Sequence, residues 1–183
     1  MKKSLTIIGA LAAASCAGLA WAGHIQSSRY FVPSPSMEPT FPFQSRVTVE
    51  KSHYKEPGQV KRGDVVIYSL SLASHEAPLI KRVVGLPGDC VRLSGTSAWV
   101  NGHQLPHTLQ SRSSHALVFR EASGTTFYTV EYQPKPAAPA RREATVTVPH
   151  GAFFVMGDNR DNSYDSRDYG AVAFTAITAK AVP

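Results

Sequence analysis

The chain has 183 residues, 43% of them hydrophobic, enough for one compact domain with at most a small appended lobe. Its formal net charge is +6, but the basic residues are scattered, with no run of five or more. A solvated surface near anionic lipid headgroups therefore fits better than a nucleic-acid groove, and no nucleic-acid partner is expected.

Lys2 and Lys3 precede an uncharged stretch, residues 4–22, "SLTIIGALAAASCAGLAWA". Nineteen helical residues rise about 28 Å, close to a hydrocarbon core of roughly 30 Å. The flanking lysines favour a cytoplasmic N-terminus, with everything after it on the outer face. Ala20-Trp21-Ala22 has the form of a signal-peptide cleavage site, so an uncleaved anchor and a cleavable signal both fit; the length favours the anchor. Cys16 lies in this stretch and Cys90 far downstream, so no disulfide between them is expected.

Residues 31–43 read "FVPSPSMEPTFPF". Proline fixes its own φ and pushes the preceding residue toward extended backbone, which predicts a stiff extended segment rather than a helix. By itself this is a Pro-rich linker, and the two serines flanking Pro35 have no evident purpose.

Beyond it the pattern is strand and turn. "RVTVEK" (46–51) alternates, with Val47 and Val49 on one face; "GDVVIYSL" (63–70) and "IKRVVGL" (80–86) are β-rich. "AWVNGHQL" places Asn101-Gly102 between short apolar flanks, a tight-hairpin signal. Further strands are predicted at 125–132, 144–149 and 152–158. Residues 105–143 are more polar and include the Pro/Ala-rich "QPKPAAPARRE", read as a peripheral insertion. No long amphipathic helical period occurs, so the expected fold is mostly antiparallel β: an anchor over 1–23 and a β-rich domain over 24–183.

Three stretches bear chemistry-capable side chains. In "PLIKRVVGLPGDCV" (78–91), strand alternation sends Lys81 and Arg82 to opposite faces, so one of them faces the apolar side. A desolvated lysine has a depressed pKa and can act as a general base, whereas arginine stays protonated. The alternative is a surface lysine guarding a sheet edge. "VMGDNRDNSYDSRDYG" (155–170) crowds Asp, Asn, Ser and Arg after a buried-looking strand, as a hydrogen-bonded loop or a solvated turn would; Arg160 and Arg167 disfavour calcium there. His103 and His107 are four apart, but Gly102 and Pro106 oppose the helix that would align them. No metal is expected.

Taken together, these blocks resemble the type I signal peptidases, membrane-bound serine peptidases with a Ser–Lys dyad. "PSPSMEPT" is similar to the family's nucleophile box, "RGDVVIY" to its next block, "IKRVVGLPGD" to the lysine box and "GDNRDNSYDSRDYG" to the last, in the family's order. The resemblance implies a signal-peptidase-type antiparallel catalytic domain, with Ser36 as nucleophile and Lys81 as general base. It implies that the Ser34 hydroxyl joins the Ser36 N–H in an oxyanion hole. Ser163 would orient the lysine, Asp165 and Arg167 would form a supporting ion pair, and Met37 would border the substrate pocket. One departure is Gln44-Ser45, where the family usually has Gly-Asp.

The function implied is removal of signal peptides from exported preproteins after a small-x-small sequence such as Ala-x-Ala, at the outer face of a bacterial inner membrane. Preprotein signal peptides and membrane lipid are the expected partners, with no cofactor and a monomeric enzyme. The alternatives are a maturation peptidase of the same clan acting on a conjugative pilin or another secretion-system subunit, and a non-catalytic membrane-tethered peptide-binding β domain.

Overall fold

Short β-branched runs separated by glycine, proline and asparagine favour strands over helices among the described residues. The computed structural model describes residues 26–72, 75–137 and 139–182. The anchor expected over 1–23, and Cys16 within it, lie outside the described residues; among those described, no helix is long and apolar enough to cross a membrane.

In chain order the first strands are β1 (Gln26–Phe31), β2 (Arg46–Lys51), β3 (Val65–Leu72) and β4 (His75–Gly85). Next come β5 (Cys90–Ser94), β6 (Ser97–Val100), β7 (His103–Gln104), β8 (His107–Arg112), β9 (Leu117–Ser123) and β10 (Thr126–Tyr132). The series ends with β11 (Ala144–Thr147), β12 (Ala152–Met156), β13 (Val172–Ala173) and β14 (Ile177–Val182). A four-residue helix, α1 (Ser166–Tyr169), precedes β13.

Seven strands make the main antiparallel sheet, in the order β1-β2-β14-β3-β4-β12-β13. Distant parts of the chain meet in its middle: β14 lies between β2 and β3, pairing Ala181 with Val49 on one side and Val65 on the other. A second sheet, β11-β5-β6-β7, contains the hairpin expected at Asn101-Gly102, whose φ values of 52° and 81° suit a two-residue turn. The third sheet is β10-β9-β8.

Among the described residues four apolar clusters form, the smallest of them Tyr128, Val130 and Tyr132 in the third sheet. Val32, Met37, Phe41 and Ile67 belong to one, Val84, Val91 and Phe154 to another, and Val66, Tyr68, Val83 and Phe153 to a third. Phe153 and Phe154 are fully buried, and each contributes about 1.5–3 kcal/mol by leaving water.

One expectation needs correction. Ser36 is not in extended backbone: Pro35–Met37 forms a single 3-10 turn, with Ser34 extended at its N-cap. Proline's fixed φ suits the first position of a helical turn, where its missing N–H costs nothing. The polar run near residue 108, read from sequence only as part of the peripheral insertion, contains β8. As an exposed edge strand, β8 meets water on both faces and so shows no alternation.

Candidate active site

The short turn around Ser36 is fastened from below. Met37 is fully buried among Val32, Phe41 and Val47, its carbonyl accepts from Phe41 N at 2.9 Å, and Glu38 N donates to Pro35 O at 3.1 Å. Met37 therefore lies beside Ser36 in sequence but beneath it in space, and it does not line the cleft. On the other side, Asn159 N donates to the Ser36 carbonyl at 3.1 Å. The hydroxyl is left facing the middle of β4.

Lys81 and Arg82 diverge there as alternation requires, yet both are buried, at 2% and 3% exposure. Lys81 Nζ donates to Ser36 Oγ at 2.7 Å and to Ile80 O at 2.9 Å. Burial is the largest influence on its amine and lowers its pKa to about 8; Asp165 and Asp158 pull it up and Arg167 pushes it down. Arg82 instead forks onto Asp158, Nε to Oδ1 at 2.8 Å and Nη2 to Oδ2 at 2.6 Å, and its guanidinium lies 4.1 Å over the Tyr128 ring. The Ser34 hydroxyl donates to Ser36 Oγ at 3.0 Å.

Behind the lysine, Ser163 Oγ donates to Asp165 Oδ2 at 2.8 Å, and Gly157 N donates to the same oxygen at 2.9 Å. Arg167 clasps the carboxylate through Nε and Nη2, both at 2.8 Å. Burial alone would raise the pKa of Asp165; the Arg167 hydrogen bond and charge, with help from Gly157 and Ser163, outweigh it and hold the carboxyl below its usual range. Asp165 also caps α1, reciprocally with Asp168. Gly157 is needed for the close approach: a Cβ there would lie 2.5 Å from Ser163 Cβ and would also collide with Ser163 Oγ and the Ser36 carbonyl.

These groups open onto a cleft of about 570 Å³ lined by Ser34, Ser36, Leu79, Lys81, Ser163 and Tyr164, among others. The structure thus brings together Ser34, Ser36, Lys81 and Ser163, with Asp165 and Arg167 in support. A buried hydroxyl bonded to a desolvated amine, with further hydroxyls at hand, is an arrangement suited to acyl transfer. Among the described residues no cluster could hold a metal ion. Sequence reading missed the pairing of Arg82 with Asp158, the Asn159 amide and Gly157. It also missed the pairs Arg160–Glu121 and Arg142–Asp161, which tie the loop after β12 to other segments. The density of charge after β12 was the available signal, but it names no partners.

Residues 3–183 match the family model described as "Signal peptidase, peptidase S26". This chain belongs to that family. The resemblance carried by the four sequence boxes is borne out, and the span of this S26 chain that matches contains every residue of the cleft. Among similar proteins, a probable signal peptidase I-2 from Synechocystis sp. is 32% identical over 163 residues, covering 86% of this chain and 62% of that protein. Signal peptidase I from Leptolyngbya laminosa is 33% identical, covering 86% of this chain and 68% of its own length. That from Bacillus caldolyticus is 31% identical, with coverages of 84% and 76%. The chain thus spans less than two thirds of the Synechocystis relative.

Proposed function

We propose that the chain is a serine endopeptidase that removes N-terminal signal peptides from exported preproteins, with Ser36 as nucleophile and Lys81 as general base. The observation that carries this reading is the 2.7 Å hydrogen bond between buried Lys81 and Ser36. Family membership and the relatives' names supply the substrate class.

In this mechanism neutral Lys81 takes the Ser36 proton as Oγ attacks the scissile carbonyl, a contribution of about 10²–10⁴ in rate for a well-placed base. The developing oxyanion is received by the Ser36 N–H and by the Ser34 hydroxyl, which turns from Ser36 Oγ toward it. Protonated Lys81 returns the proton to the leaving amine, and the Ser36 ester is then hydrolysed by water that Lys81 activates. Ser163, held by Asp165 and Arg167, orients the lysine. No cofactor enters any step.

Cleavage after small-x-small sequences at a membrane surface is part of the same proposal, supported by the uncharged run over 4–22 behind Lys2 and Lys3. On the same proposal the chain resides at a bacterial inner membrane, its folded part outside, as a single-pass monomer in contact with lipid. The test is incubation of the purified protein with a preprotein, followed by N-terminal sequencing. A new terminus directly after an Ala-x-Ala sequence is expected; an intact preprotein, or cleavage elsewhere, would refute the reading.

A further inference from the structure

The loop that follows β12 contacts the nucleophile's backbone, and the third sheet holds that loop. Glu131, near the end of β10, runs parallel to Asn159: Glu131 N donates to Asp158 O at 2.9 Å and Arg160 N donates to Glu131 O at 2.8 Å. Between those two bonds lies Asn159, whose N–H grips the Ser36 carbonyl. Two ion pairs lock the register. Arg160 Nη2 donates to Glu121 Oε1 of β9 at 2.7 Å, with both side chains at or below 1% exposure, and Tyr128 OH donates to the same oxygen at 2.7 Å. Arg142, from the Pro/Ala-rich segment, forks onto Asp161, with Nε on Oδ1 at 2.9 Å and Nη2 on Oδ2. Its Nη2 also donates to Gln133 O, while Gln133 N donates to Asp161 Oδ2 at 2.8 Å.

Stability alone is a poor reason for such pairs. Taking two charges out of water costs several kcal/mol per ion, and apolar replacements often match or exceed the pair. What the pairs supply here is position: they fix residues 159–161 at one register on β10, and residue 159 touches the nucleophile. We infer that Glu121 and Arg142 are positioning residues for the peptidase site, acting through the Asn159 amide on the carbonyl of Ser36. This deepens the peptidase reading and rests on it. The segment over 105–143 is then a wall of the catalytic apparatus rather than an appendage.

Arg142 gives the cleaner test, because it is not sealed in the interior as Glu121 is. Full-length protein, as wild type, Arg142→Ala and Arg142→Lys, is compared for preprotein turnover and for amide hydrogen exchange at Asn159 and at Val83, which donates to Asp64 O in the core. Arg92→Ala, which removes an arginine–aromatic contact over Trp99 in the second sheet, is the control. In Arg142→Ala the Asn159 amide should exchange about 10-fold faster or more, with Val83 unchanged. Its kcat should fall about 10-fold at nearly constant KM. Arg142→Lys should recover part of both effects and Arg92→Ala should match wild type. Unchanged protection at Asn159, equal acceleration at Val83, or unaltered kcat would overturn the inference. Inactive wild-type protein would refute the peptidase reading instead, while the exchange comparison would still decide whether Arg142 holds Asn159.

Discussion

Lys81 Nζ and Ser36 Oγ lie 2.7 Å apart across 45 residues of sequence, a hydrogen bond between two buried residues. That relationship sets the pH dependence of the proposed chemistry. Desolvation lowers the lysine pKa to about 8, so the neutral form needed to accept the serine proton becomes abundant just above neutrality. We expect kcat/KM to rise with pH to a plateau through about pH 8. Lys81→Arg should be inert at every pH, since a guanidinium does not deprotonate. A flat profile from pH 6 to 10, or an active arginine variant, would count against the base.

The same lowered pKa has a cost in stability. Unfolded, the lysine titrates near 10.5; folded, near 8, so between those values the unfolded chain binds more protons and stability rises with pH. Below pH 8 the penalty is fully present, on the order of 3 kcal/mol, because each tenfold change in proton affinity is worth about 1.4 kcal/mol. Lys81→Met, similar in volume and uncharged, should therefore raise the denaturation midpoint at pH 7, with the gain shrinking toward pH 10. Urea melts at the two pH values measure it, and a pH-independent difference would be the wrong result.

Gly157→Ala should leave the protein folded only with a displaced site. The new methyl group meets Ser163 Cβ and the Ser36 carbonyl, neither of which a side-chain rotation can move away. A loss in kcat of about 100-fold or more is expected from misplacement on this scale. Turnover within a few-fold of wild type would mean that the two segments are not held as described.

The strands and the main sheet's apolar pattern were legible because Val47, Val49 and their like alternate visibly, and Asn101-Gly102 announces its turn. Ser36, Lys81 and Ser163 were legible for a different reason, the resemblance of their surrounding boxes to a known family. What escaped was chemistry between distant residues. Arg160 and Glu121 are 39 apart, and Arg82 and Asp158 are 76 apart; nothing periodic marks either pair. Lys81 and Arg82 also both turned out buried, because each finds its partner in a different loop, which alternation cannot foresee. The 3-10 turn at Pro35–Met37 escaped because proline suits its first position as well as it suits extended chain.

Gln44 stands where the family usually carries glycine, and its φ of 62° lies in the left-handed region. The turn is kept by Gln44 N donating to Val32 O at 3.0 Å and by the Ser45 hydroxyl on Pro42 O at 2.6 Å. Gln44→Gly should therefore stabilise the fold, by about 0.5–1 kcal/mol once the extra freedom of the unfolded glycine is offset against relieved left-handed strain. Thermal melts check this, and a lower Tm would show that the turn carries no strain at Gln44.

The most direct test of the Ser36–Lys81 assignment is cleavage of a preprotein by Ser36→Ala beside wild type, with circular dichroism on both. The serine sits in a three-residue turn fastened by its neighbour's buried side chain and by its own carbonyl, so losing the hydroxyl leaves those contacts in place. An unchanged spectrum and no detectable product are expected from the variant. Near-wild-type turnover by Ser36→Ala would contradict the assignment outright.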